Sequence, residues 1–503
     1  MYKLKYLSLA LLIVGSMELN STYAATGLTT LSDEQMSETI GQALMSLTYL
    51  APTDSKNLMG KYSTDKNIGF YKLGMEAEME MNTNIKNLQL GCGGTNGAGA
   101  CDVEIKNLSL SGLPAGYNSS SADSPNYGTQ NRAETSAKLT NPFMEFAISN
   151  PDSASKREVV GLRFSAEKIT GLLTAGLENL AQPSSTDGIQ TLSGFMRIAS
   201  TTGEVNTAPG KFGTVQNQSI GAYIDALGKH WIQSYPNSVN TGLGQTTGIT
   251  IPEMQGVGFT MPSFQVNGNR LTTAIAQNVS VFLDNIPLAR PENCSGASCS
   301  QWDNDKLYVN IRDPDNHNNQ QCIVWVCNST FKMGEGSTLS NLNMNVTFKQ
   351  ALSMFHNIPL EGNGGYLSLQ QIALLWPGSY VDSADTTGKT LNQMMSTDVA
   401  QKGWWMSFAE PVNLGYLKGA TAVDISSVLP QVATLITQDL TANPISLGGG
   451  DILNALFSQP ITKKMNIDIG AYTKVNPATL TLENLKLVNQ NVVTNCYGSL
   501  KFC

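Results

Sequence analysis

The sequence predicts a mainly β protein, an elongated or multi-sheet body with a short N-terminal helix, a few C-terminal helices and disulfide-stapled loops. Three observations carry that expectation. The run Met75-Glu76-Ala77-Glu78-Met79-Glu80-Met81 places apolar residues at every second position, the period of a half-buried strand. A six-residue unit of the form apolar, any, Asn, apolar, any, apolar recurs along the chain. Eight cysteines stand in four close pairs.

The first residues carry an export signature. Lys3 and Lys5 precede the apolar stretch Tyr6 to Val14, and Thr22-Tyr23-Ala24 forms a small-x-Ala cleavage site before Ala25. The stretch is too short to span a bilayer as a helix, and no later run is long or apolar enough to do so. Cleavage would take 31 basic and 39 acidic residues to 29 and 38, because Lys3, Lys5 and Glu18 leave, for a net charge of −9. That acidity argues against nucleic acid and anionic membranes as partners. With 14% charged and 41% hydrophobic residues, the surface is solvated mainly by neutral polar groups around substantial cores.

An N-terminal helical segment is expected over 25–62. Ser32 and Gln35 have capping-box spacing, and Met36, Ile40, Leu44 and Leu47 then form one apolar stripe, a candidate partner-docking face. A β-rich domain over 63–290 follows. Within it Ile85-Lys86-Asn87-Leu88-Gln89-Leu90 returns as Ile105-Lys106-Asn107-Leu108-Ser109-Leu110, on either side of Cys92 and Cys101. This reads as two strands joined by a stapled Gly-rich turn. Related units begin at Leu283, Leu339, Phe355 and Leu482. Their step of three residues needs a kink, which Asn tolerates in left-handed backbone. Two readings stand: a true structural repeat, or coincidence in an Asn-rich β protein.

Residues 291–330 form a cysteine-containing loop region, and 331–503 a β-rich C-terminal domain with helices expected at Leu369–Trp376, Asp424–Leu440 and after a cap at Asp451. Even cysteine numbers in an exported chain read as disulfides. Proximity pairs Cys92 with Cys101 and Cys496 with Cys503. Cys294, Cys299, Cys322 and Cys327 either pair locally or exchange partners. No pair has zinc-site spacing.

No constellation carries catalysis or a cofactor. His230, His317 and His356 share no ligand spacing. Asp303, Asp305, Asp313 and Asp315 are a weak calcium candidate, lacking the Gly and Glu of an EF-hand loop. Ser219 lacks the Gly that precedes a nucleophile elbow. Trp404-Trp405 is the most conspicuous aromatic pair. On a strand the two face opposite ways, so one packs in the core and the other is a candidate ligand platform.

The segment Leu31-Ser32-Asp33-Glu34-Gln35-Met36-Ser37-Glu38-Thr39-Ile40-Gly41-Gln42-Ala43-Leu44 resembles one found just after the signal peptide in Fil-type pilus-assembly and exported surface proteins of gammaproteobacteria. It departs from their pattern at Met36 and at Thr39-Ile40. The resemblance covers about fourteen residues and supplies no catalytic ones. It implies a non-catalytic structural protein of a pilus or surface fibre, or of its assembly, located in the periplasm, at the outer membrane or at the cell surface. Its partners would be other fibre or assembly proteins. The alternatives are an adhesin or carbohydrate-binding module acting on a host surface, and a secreted β-rich hydrolase. A fibre protein should expose unpaired strand edges and apolar seams, a lectin an aromatic-lined shallow groove, and a hydrolase a cleft with two spaced carboxylates.

Overall fold

Residues 45–503 are described by a computed structural model, apart from 64, 66, 95–96, 114–116, 118–131, 237–238, 241–243, 386–387, 494 and 497–503. Strands dominate them. Eleven form the largest sheet: β1 (Met45–Leu50), β2 (Ile68–Met75), β3 (Glu78–Met81), β4 (Thr83–Leu90), β5 (Val103–Ser111), β6 (Ala137–Ser149), β7 (Glu158–Ala175), β8 (Gly188–Ile198), β9 (Phe264–Leu271), β10 (Asn357–Gln370) and β11 (Gly403–Phe408). Their order is β1-β2-β6-β7-β10-β11-β8-β5-β4, with β3 beside β6 and β9 beside β8.

Part of this sheet closes on itself. β5 pairs with β8 through Val103–Lys106 and with β7 through Leu108–Ser111, so β7, β10, β11, β8 and β5 form a ring. Asn107 stands at the change of partner with φ 54°, the left-handed geometry expected of the repeated unit. The parallel contact of β11 with β8 requires Gly194, where a Cβ would lie 2.0 Å from the Met406 carbonyl oxygen.

A second, six-stranded sheet contains Thr201–Thr207, Met254–Met261, Thr273–Leu283, Leu342–Ala351 and Ala478–Glu483, with Leu417–Lys418 at one edge. A three-stranded sheet of Ile286–Pro287, Thr338–Ser340 and Asn466–Asp468 adjoins it. Two chain segments pass from one sheet to the other, at Asn285 (φ 54°) and Asn341 (φ 61°). Asn484, at the end of Ala478–Glu483, has φ 56°. The Asn of the unit is thus a corner or partner-switch residue at four of its six occurrences. Asn87 and Asn357 instead stay in ordinary ladder pairing.

A third sheet, of six strands, includes Gly221–Asp225, Lys229–Ser234 and Leu307–Arg312. The three sheets share one large apolar core with helix α1 (Leu429–Ala442), which buries Val432, Ala433, Ile436 and Leu440 in it. A smaller core of Met59, Phe70, Leu374, Trp376 and Trp405 packs on one face of the eleven-stranded sheet.

The disulfides Cys92–Cys101, Cys294–Cys299 and Cys322–Cys327 are all local, which settles the middle cysteines. Cys496 is disulfide-bonded, and its expected partner Cys503 lies outside the described residues.

Several local expectations are corrected. The alternating run is not one strand: β2 ends at Met75 and β3 starts at Glu78, because both pair with β6 on either side of Asn141-Pro142. Asn141 has φ 49° and donates its N–H to Ala77 O at 2.9 Å, and Pro142 has no N–H to continue the ladder. Leu369–Trp376 is not helical. Leu369 and Gln370 end β10, and Leu374 exchanges backbone hydrogen bonds with Ala400, so tertiary pairing overrides local propensity. α1 begins at Leu429, not Asp424, with Pro430 in its first turn. Helix α2 (Gly449–Leu456) starts before Asp451, whose Oδ2 reaches back to accept the Gly448 N–H at 2.8 Å. The helix expected to run to Leu47 does not reach it, since Met45–Leu50 is a strand; Met36, Ile40 and Leu44 lie outside the described residues. The divisions expected near 290 and 330 are not structural breaks, because β7 and β10 pair over twelve positions within one sheet. No helix among the described residues is long and apolar enough to cross a membrane.

Candidate interaction surface

Strands β1, β2, β6, β7, β10 and β11 carry apolar side chains on both faces. One face is covered by the smaller core: Phe70, Ala147 and Trp405 pack there against Leu374, Leu375 and Trp376. The same face buries an ion pair. Arg163 donates from Nε to Glu145 Oε2 at 3.0 Å and from its NH2 group to Pro377 O at 2.7 Å, with its guanidinium over the Tyr366 ring. Trp405 is 1% exposed and donates its indole N–H to Asp398 Oδ1 at 2.9 Å. Burial pushes the Asp398 carboxyl up to about 6.

The opposite face is open. Strand register aligns its side chains in two continuous rungs across six strands. The first is Leu47, Leu73, Met144, Phe164, Leu367 and Met406; the second is Tyr49, Tyr71, Phe146, Leu162, Leu369 and Trp404. Met45 opposite Met75 begins a third. None of the twelve is charged and none is fully buried. Leu47 is 71% exposed, Phe164 42% and Leu369 41%. Tyr49 and Tyr71 stack with ring centroids 4.3 Å apart. At about 4.8 Å per strand the rungs span about 24 Å, a contiguous patch of the kind that marks an interaction site. At the β11 end, Trp404 and Met406 run into the large core.

β1 is also a sheet edge. It pairs only with β2 among the described residues, and Met45-Ser46-Leu47-Thr48-Tyr49-Leu50 contains no charge, proline or glycine. Edge strands of stable monomers normally carry such features to prevent pairing with another chain.

Of the residues singled out from sequence, Leu47 and Trp404 lie on this face at its two ends, whereas Trp405 is core. The aspartates do not come together. Asp305 binds Lys211 Nζ at 2.5 Å and the Thr250 N–H, and Asp313 accepts the backbone N–H groups of Asp315 and Asn316. Asp303 offers its carbonyl to Lys332. Among the described residues no group of three or more His, Cys, Asp or Glu is placed to hold a metal. His356 is buried, with Nδ1 2.7 Å from Ala175 O, and His317 stacks on Trp231. Ten of the twelve rung residues were not foreseen. Their signal was the apolar content of alternate positions on both sides of each strand, as in Phe143-Met144-Glu145-Phe146-Ala147-Ile148, which by itself reads as two buried faces.

A second feature is polar. On the outer face of the six-stranded sheet Thr202, Thr260, Ser280 and Asn345 form one rung beside Phe282, which is 55% exposed. They line a shallow groove of about 790 Å³ with Asn343, Tyr416 and Lys474.

The chain matches no protein-family model, no curated protein and no solved structure.

Proposed function

We propose that the protein is a non-catalytic structural component of an exported surface fibre, acting as a subunit or in its assembly. The observation that carries this reading is the open apolar face bounded by the uncharged edge strand β1. A sheet with one face fixed by a core and the other left apolar is built to be covered by another polypeptide. The signal-like N-terminus, the local disulfides and the Leu31–Leu44 resemblance support the same reading. The test is a Phe164→Lys/Leu369→Lys variant expressed with its own leader. It should fold and be exported, yet be missing from surface fibres sheared from cells. Normal incorporation would overturn the proposal.

An adhesin reading is favoured by the groove around Phe282, where an exposed ring beside amide and hydroxyl groups suits stacking on a sugar. Retention on a glycan array that Phe282→Ala abolishes would support it.

A further inference from the structure

We propose that a second copy of this chain covers the two-rung face, packing sheet against sheet about a twofold axis. The inference rests on the assembly reading of the same surface and names its occupant.

Area is the first argument. Two rungs and the Met45–Met75 pair extend about 13 Å along strands that together span about 24 Å. With side-chain breadth this is roughly 600 Å² per copy, or about 1,200 Å² for two stacked faces, the lower bound of a specific interface. Stacked sheets sit about 10 Å apart and interdigitate through large apolar side chains, which both rungs supply.

Charge is the second. Each copy carries −8 with its leader and −9 without it, so two copies repel over most of their surfaces. The rungs contain no charged side chain, and contact there brings no like charges together. The nearby cation Lys72 lies on the other face of β2, bound to Glu167 at 2.9 Å. A lipid surface would want a cluster of basic residues around such a patch, whereas the six strands place only Lys168 and Lys138 on this side by register, and Lys138 is bound to Glu78 at 2.8 Å. A twofold stack is self-complementary because the same residues meet from both sides.

The experiment is sedimentation velocity on the mature, oxidised protein over a wide concentration range. The expected result is a reversible dimer dissociating in about the micromolar range. Phe164→Lys/Leu369→Lys should be monomeric throughout while keeping its far-UV spectrum and its disulfides. Phe282→Lys, an exposed aromatic outside the face, should still dimerise. If the central variant fails to fold, Leu47→Lys/Leu73→Lys at the margin should weaken the dimer at least tenfold. A wild-type monomer at all concentrations overturns the proposal, as does a dimer indifferent to these substitutions. So does protection of Tyr49 and Phe164, both 42% exposed, from hydroxyl-radical labelling in the dilute monomer, which would mean that the chain covers its own face. The two readings separate cleanly. A wild-type monomer whose face variants drop out of fibres leaves the fibre role with another partner. A dimer whose loss leaves fibres intact keeps the dimer and ends the fibre role.

Discussion

Trp404 and Trp405 are consecutive residues on opposite faces of β11, and they divide the protein's two surfaces between them. Trp405 is sealed against Asp398 beneath the sheet, while Trp404 ends the second apolar rung above it. The faces therefore predict opposite mutational responses. Phe70→Ala, in the smaller core, should cost about 3–5 kcal/mol in chemical denaturation. Leu47→Ala, at the exposed margin, should change stability by about 0.5 kcal/mol or less in the monomer. Equal losses would mean that both faces are buried in the isolated chain.

Asp398 predicts a pH dependence. Its folded pKa of about 6 stands above the ordinary 3.8, raised by burial. A raised pKa means that the native state holds the proton more tightly. The stability it contributes is fully present below about pH 4 and is lost as pH rises through about 6. Asp398→Asn should therefore gain stability relative to wild type as pH rises from about 4, reaching an amount on the order of 2–3 kcal/mol at neutral pH. His356 acts in the other direction, because burial lowers its pKa, so its contribution is lost as pH falls. The difference between wild type and Asp398→Asn isolates the aspartate. A pH-independent difference would show that Asp398 ionises normally.

Arg270 clamps the stapled hairpin. Its Nε donates to Asp102 Oδ1 at 3.1 Å, and its terminal nitrogens donate to Gly97 O at 2.9 Å and Gly91 O at 3.3 Å. Asp102 also accepts the Trp404 N–H at 3.0 Å. Arg270→Ala breaks this buried ion pair together with both carbonyl contacts and should cost about 3–5 kcal/mol, more than opening Cys92–Cys101, at about 2.7 kcal/mol for so short a loop. Thermal melts of the two variants decide the order.

The Asn corners predict a preference among small residues. Asn341→Ala keeps a Cβ at φ 61° but loses the amide's long-range hydrogen bond to Asp468 Oδ1 at 3.0 Å, and should cost about 1–2 kcal/mol. Asn341→Gly should cost less, since glycine accepts that φ freely. The reverse order, measured by urea unfolding, would mean that side-chain packing dominates the corner.

How much could be read in advance follows from how local each feature is. The β4–β5 hairpin was legible because both strands and both cysteines lie within Thr83–Ser111. The kink at Asn was legible at four of the six units, where a left-handed Asn takes up the step of three; Asn87 and Asn357 carry the same step within a continuous ladder, which the pattern alone did not distinguish. The break between β2 and β3 was not, because its cause is Asn141-Pro142 on another strand. Nor was the open face. Whether Phe164 or Arg163 faces the core depends on where Leu374 to Trp376 come to rest, more than two hundred residues later. The Trp405 environment was half legible: alternation said that the two tryptophans diverge, but not that Asp398 would receive the inner one.

The ring through β7, β10, β11, β8 and β5 has a consequence for the order of events as the chain is made. β5, β7 and β8 have all emerged by Ile198, yet the ring lacks two staves until β10 and β11 arrive, between Asn357 and Phe408. The closing contact joins Gly194 to Met406 across 212 positions. Until then β7 has no β10 to pair with and β8 has no β11, so native assembly of this sheet waits for most of the polypeptide. Contacts so distant in sequence slow folding and prolong the life of unpaired strands. The fold is therefore best suited to a compartment or a helper that keeps the first two hundred residues apart from their neighbours while the rest is delivered.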